Sequence, residues 1–193
     1  MGTALTFGFP RLSYAREKGQ STPNILLMVA EDHGLQLSCY DDEHISTPNL
    51  DALASEGVRF ENAYVTQAGC SPSRASLLTG QYPHNNGQIG LATHGLRMYK
   101  DHTPNLTTYL KDAGYRTGII GKIHVNPESA FLFDFKAFPK NNFNNRSVQE
   151  FARTAGEFFR ASDDPFLLWI SFPDAHRPFH DQQKGIPARV MRP

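Results

Sequence analysis

The sequence predicts an α/β fold, a largely parallel sheet with helices on both faces, from two patterns. Short apolar runs of strand length alternate with segments of helical period, the order that builds βαβ units. Three of those runs also stop in polar, titratable residues: Glu31-Asp32 after NILLMVA, Lys122-Ile123-His124 after YRTGII and Gly121, and Asp174-Ala175-His176-Arg177 after PFLLWIS. Parallel strands share one C-terminal edge, and open α/β sheets bind their ligands there.

Taken in order, residues 1–23 hold charges and a proline without a continuous apolar core, so they read as a leader outside the fold rather than an intact signal peptide. Residues 24–193 form the folded part. Residues 24–30 predict a strand buried on both faces. Thr47-Pro48 opens a helix carrying Leu50, Leu53 and Ala54 that ends at Gly57, and VRFENAYV (58–65) alternates as a second strand. Pro72 opens a helix that Gly80 stops, and residues 81–101, rich in Gly, His and Asn, are a long loop of the functional kind. Thr103-Pro104 repeats the cap-and-proline start, with Leu106, Tyr109, Leu110 and Ala113 on one face. Residues 115–120 are a strand and 126–146 are irregular. Val148, Phe151, Ala155 and Phe158 follow the 3.6 period over 147–162, and 165–171 is a further buried strand before a loose tail after Pro178.

Composition narrows the function classes. Nineteen basic residues balance nineteen acidic ones, so no global field points to nucleic acid or an anionic membrane. No apolar run approaches the ~20 residues of a membrane span. Two cysteines allow one disulfide at most; Cys39, between Ser38 and Tyr40, reads as a small buried hydrophobe.

Cys70-Ser71-Pro72-Ser73-Arg74 is the densest chemical signal. Pro72 suits the first helical position, which makes Ser71 the expected N-cap. Cys70 then lies at the positive end of a helix, where an anion is favoured, and Arg74 sits one turn inside. A cysteine phosphatase loop places five residues between cysteine and arginine, but only three intervene here, and nothing nearby supplies a thiol-protease pairing. Each remaining cluster has two readings. Glu31-Asp32 is a solvated turn or a ligand pair for a hard cation such as Ca2+ or Mg2+. Lys122 and His124 are an exposed loop or two groups pointing one way. His176 and Arg177 are a surface pair or part of the same rim, and His84, His94 and His102 are most simply loop histidines.

With Leu78-Thr79-Gly80, the Cys-x-Pro-Ser-Arg motif resembles the sulfatase signature. The acidic pair after the first strand, Gly121-Lys122-x-His124 and the histidine after PFLLWIS follow in the same order. The resemblance spans residues 24 to about 180; Phe133-Asp134-Phe135 and Asp174-x-His176-Arg177 are most similar to the heparan N-sulfatase (sulfamidase) branch. It implies the alkaline-phosphatase-like α/β fold and a cysteine oxidised to formylglycine by a separate maturation enzyme. The hydrated aldehyde at Cys70 would attack sulfur, and its second hydroxyl would expel sulfate. It further implies a divalent ion, Ca2+ in most members, held by Glu31, Asp32 and the modified Cys70. Arg74 would steady the diol, Lys122 and His124 would bind sulfate oxygens, and His176 would be the general acid. Asp174, Arg177 and His84 would touch a sulfated sugar or glycosaminoglycan.

Two departures qualify the resemblance. Glu31 stands where the family usually has Asp, and further metal ligands come in the family from a later segment. The chain is therefore expected to be the N-terminal part of a sulfatase catalytic domain, with little or no turnover by itself. A non-catalytic remnant that binds sulfated glycan is the alternative, and a phosphoryl-transfer relative is disfavoured by the cysteine motif. The family implies a lysosomal, periplasmic or secreted location. Asn105-Leu106-Thr107 and Asn145-Arg146-Ser147 match the glycosylation pattern.

Overall fold

Apolar runs without polar alternation need cover on two sides, and the chain provides it by laying strands parallel beneath helices. The computed structural model describes residues 22–137 and 147–177. Strands β1 (Ile25–Val29), β2 (Arg116–Gly121), β3 (Phe135–Ala137) and β4 (Phe166–Ser171) form one sheet in the order β1-β4-β2-β3, with every pairing parallel. Helices α1 (Pro48–Glu56), α2 (Cys70–Thr79), α3 (Pro83–Asn86), α4 (Leu106–Asp112) and α5 (Val148–Arg160) connect them.

Two cores lie on opposite sides of the sheet. Ala75 and Leu78 of α2 pack with Ile119, Ile123, Phe131 and Trp169 on one face. Phe151, Ala155 and Phe158 of α5 pack with Ile120, Leu168 and Ile170 on the other. Phe158 is the centre of that second core: its ring meets Phe135 and Phe166, and the Arg116 guanidinium lies 3.8 Å from its centroid. Gly118 makes the approach possible, since a Cβ there would stand 2.6 Å from the Phe158 ring.

Several expectations change. β1 is covered on one face only: Leu27 and Val29 join the α2 core, but Leu26 and Met28 are half exposed, because β1 is an edge strand beyond the reach of α5. Residues 58–65 form no strand. Val58, Phe60 and Tyr64 are exposed, and the Tyr40 hydroxyl donates to the Phe60 carbonyl where a ladder would need a partner strand. α1 keeps its predicted bounds, yet Leu53 is exposed. α4 starts at Leu106 rather than after Thr103, because the Asn105 side chain accepts from Thr107 N and Thr108 N in a capping box. Asn105 is thus a buried cap, which removes it as a glycan acceptor. Within 126–146, Phe135–Ala137 forms the short β3 beside β2. Cys39 is half-buried, and both cysteines are free thiols. Most of the leader (1–21), Asn145 and the tail from 178 lie outside the described residues.

Phe158→Ala is expected to lower stability by about 3–5 kcal/mol, read as a shift in the urea midpoint. A loss below about 1 kcal/mol would mean that α5 does not depend on this ring.

Candidate active site

The site begins where β1 runs out. The β1–β4 pairing continues past both strands: Phe172 N donates to Val29 O at 2.9 Å, Glu31 N to Asp174 O at 2.8 Å and Ala175 N to Glu31 O at 2.7 Å. This extension carries Glu31 and the 174–176 segment together. α2 supplies the next groups. Its N-cap is Gly69, so Cys70 is the first helical residue, two positions earlier than the proline suggests. Ser71 does not cap; it is fully buried, and its hydroxyl accepts from Ala92 N at 2.9 Å, fastening the 81–101 loop to the helix. Gly80 ends α2 at φ +67°, its N–H bonded to Ser76 O.

Glu31, Arg74 and Lys122 are all buried and converge from the ends of β1, α2 and β2. Arg74 Nη2 meets Glu31 Oε2 at 2.6 Å, and its Nη1 donates to the Lys122 carbonyl at 2.7 Å. Lys122 Nζ donates to Glu31 Oε1 at 3.0 Å. Cys70 Sγ donates to the same Oε1 at 2.8 Å. Burial alone would raise the Glu31 pKa, but Arg74, the Cys70 hydrogen bond and Lys122 outweigh it and hold the carboxyl at about 2. Burial and the bond to Glu31 push the Cys70 thiol up, so it stays protonated.

His124 stands beside this cluster at φ +52°, a left-handed conformation that His and Asp tolerate better than most residues. Both ring nitrogens are buried, and neither has a hydrogen-bond partner among the described residues. Burial, then Lys122 and Arg74, lower its pKa to about 4. His176 faces Asp32, with Nε2 3.8 Å from Oδ2, while its Nδ1 contacts the Arg177 carbonyl. The Asp32 side chain is 55% exposed. One donor atom each from Glu31, Cys70 and His176 lies within 4.8 Å of the others, which is close enough to share a cation.

Seven of the residues singled out in the sequence therefore meet at one edge of the sheet: Glu31, Asp32, Cys70, Arg74, Lys122, His124 and His176. Asp174 enters through its carbonyl, and Arg177 follows at the mouth through its own. His84 is not brought in. It lies on α3, past the C-terminal end of α2, stacked on Tyr82. Asp134 is tied to Lys111 and to Thr117 N and Oγ1, away from the cluster. Sequence reading missed Trp169, whose ring lies 5.9 Å from the Arg74 guanidinium; its place in an apolar run signals only core. It also missed buried Gln88, whose amide donates to Gly90 O and Leu96 O and accepts from Asn126 N, holding the loop in shape.

A family model described as Sulfatase matches residues 23–189. The chain is 42% identical over 166 residues to N-sulphoglucosamine sulphohydrolase of Homo sapiens, covering 82% of this chain and 33% of that protein. It is 33% identical over 162 residues to an ulvan-active sulfatase of Formosa agariphila, covering 82% and 31%. The solved structure of BT4656 in complex with its substrate D-glucosamine-2-N,6-O-disulfate superposes with a TM-score of 0.69 at 29% identity, covering 81% of this chain and 35% of that one. The chain spans about a third of the length of these curated relatives.

Within the cluster, Glu31 and His124 respond to acid over different ranges. Unfolded, His124 takes a proton near pH 6.5, but folded it resists until about 4. Stability therefore falls as the pH is lowered from 6.5 to about 4. Glu31, held at about 2 against an ordinary 4.5, contributes stability above 4.5 that is lost as the pH falls toward 2. Urea titrations across this range are expected to show both losses, with His124→Gln removing only the upper one. An unchanged upper slope in His124→Gln would contradict the assignment.

Proposed function

The chain belongs to the sulfatase family, and from that premise we propose that its site serves hydrolysis of a sulfate ester or N-sulfate on a sugar. The carrying observation is the charge of the cluster. One buried carboxylate faces two buried cations, and an uncharged His124, whose ring nitrogens have no hydrogen-bond partner among the described residues, stands beside them. Cys70 adds the positive end of α2. Such a pocket favours a compact oxyanion. The names of the human relative and of the BT4656 substrate support a sulfated glucosamine unit of the glycosaminoglycan kind.

The cysteine is read as a precursor, because burial and Glu31 keep its thiol protonated and a poor nucleophile. Oxidation by a formylglycine-generating maturation enzyme would place a hydrated aldehyde where Sγ now stands, and that group supplies the oxygen nucleophile. The donor set also fits a divalent ion. Glu31 and Asp32 supply carboxylate oxygen, the donor that Ca2+ prefers, beside the Cys70 position. Glu31, although longer than Asp, offers the same donor type. When bound, such an ion supplies Lewis-acid polarisation of the sulfate.

The chain's own groups divide the remaining work. Arg74 fixes Glu31 and the Lys122 carbonyl together, so the nucleophile position and the sulfate-facing groups keep one geometry. Lys122 Nζ and a His124 N–H stabilise charge that grows on sulfate oxygens. His176, outside the buried cluster and facing Asp32, gives a proton to the departing amine or alcohol. Asp174 and Arg177 belong to the mouth, where the sugar enters. A chain whose Cys70 stays a thiol retains the oxyanion pocket without the nucleophile and acts as a sulfated-glycan binder.

Co-expression with a formylglycine-generating enzyme, followed by mass spectrometry of the Cys70 peptide, is expected to show thiol converted to aldehyde. Full retention of the thiol would favour the binding reading. Under either reading, Lys122→Ala is expected to weaken binding of N-sulfated glucosamine by about tenfold or more, read by calorimetric titration. Undiminished binding would remove Lys122 from the oxyanion pocket.

A further inference from the structure

The ring of His124 is placed through its main chain. Its two nitrogens have no hydrogen-bond partner among the described residues. Its backbone holds a left-handed φ of +52°, a conformation that needs support from its surroundings. The supports lie two residues away on each side. Lys122 O accepts from Arg74 Nη1 at 2.7 Å, and Asn126 N donates to Gln88 Oε1 at 3.0 Å. We propose that Gln88 is a positioning residue for His124, the outer pin of a segment whose inner pin is Arg74. The role of His124 in this rests on the sulfatase-type reading above, whereas what holds it rests on contacts alone.

Ile123 and Val125 are buried in the α2 core and keep the segment against the sheet. Burial is non-directional, however, and does not fix where the ring between them points. Gln88 supplies direction. It is fully buried, and both atoms of its amide are bonded. Nε2 donates to Gly90 O at 2.8 Å and to Leu96 O at 2.9 Å, while Oε1 takes the Asn126 N–H. A carboxamide offers two donors and an acceptor without charge, so it pins residue 126 without altering the field set by Glu31, Arg74 and Lys122.

The same amide closes the 88–96 loop on itself, and that loop is fastened on both sides of Cys70. Gln67 Nε2 donates to Ile89 O and Ser71 Oγ accepts from Ala92 N, both at 2.9 Å. Just beyond the loop, Met98 N donates to Asn126 O at 2.8 Å. Gln88 thus ties the His124 segment to the flanks of the cysteine, which sets the spacing between the ring and the Cys70 position.

The test compares the 193-residue chain with two variants. Gln88→Met keeps the side-chain length and removes the amide; Gln67→Ala releases the same loop without touching residue 126. His124 is followed by its carbon-bound ring protons in NMR spectra, assigned by their loss in His124→Gln, and Asn126 by amide exchange. In Gln88→Met the His124 signals shift or broaden and Asn126 exchanges about tenfold faster or more, while the amides of α5 on the other core keep their protection. Gln67→Ala changes neither. Unmoved His124 signals in Gln88→Met, or the same shift in both variants, would overturn the proposal. Should Gln88→Met fail to fold, Gln88→Asn, which keeps the amide and shortens its reach, is read the same way with the same two outcomes. Affinity for N-sulfated glucosamine, measured by calorimetric titration, is expected to fall roughly fivefold in Gln88→Met and no further once His124→Gln is present. Equal losses in both backgrounds would show Gln88 acting elsewhere and overturn its positioning role. A chain that binds no N-sulfated glucosamine contradicts the hydrolase reading instead, and the NMR signals still decide Gln88.

Discussion

Everything at the site depends on one buried carboxylate held between two buried cations. Arg74 and Lys122 lie 43 and 91 residues from Glu31 in the chain, yet the charged ends meet at 2.6 and 3.0 Å. Removing an ion from water costs several kcal/mol even after relaxation, and a buried pair recovers this only with good geometry and satisfied lone pairs. Here Oε2 takes Arg74, Oε1 takes Lys122 and the Cys70 thiol, and the second arm of Arg74 takes the Lys122 carbonyl. The cluster thus joins the C-terminal ends of β1 and β2 to the first turn of α2. It serves the site as a clamp more than the fold as a source of net stability.

The same arrangement sets the chemistry. With Glu31 ionised and His124 neutral, the buried groups carry an excess of positive charge that invites an oxyanion. In the proposed function, the group beside them at Cys70 separates binding from turnover. As a thiol hydrogen-bonded to Glu31, it is protonated and a poor nucleophile; in the proposed reading the aldehyde at the same position would be the reactive centre. On that reading, oxidation at Cys70 and not a rearrangement of the fold would distinguish the two roles.

Much of this was legible in the sequence because a parallel sheet turns strand ends into neighbours. Glu31, Lys122 and His176 each follow an apolar run, and the order β1-β4-β2 sets those ends side by side. Cys70 and Arg74 were readable through helix geometry, one turn apart. What the sequence concealed depends on partners distant in the chain. Residues 58–65 alternate like a strand but pair with no strand among the described residues. Leu26 and Met28 look like core and are exposed because α5 stops short of β1. Ser71 has the chemistry of a cap and is used by Ala92 instead. His84 resembles its neighbours in a histidine-rich loop, and only the direction of α2 carries it away from Cys70.

A double-mutant cycle between Glu31 and Arg74 tests the central claim most directly. Stability of Glu31→Gln, Arg74→Met and the double variant would be measured by urea denaturation near neutral pH. The clamp predicts that each single change costs about 3–5 kcal/mol, because a buried charge loses its partner. The double variant should cost less than the sum, with a coupling of at least about 1.5 kcal/mol, within the usual range for contacting residues. Effects that add to within about 0.5 kcal/mol would contradict it, since the two charges would then be buried independently.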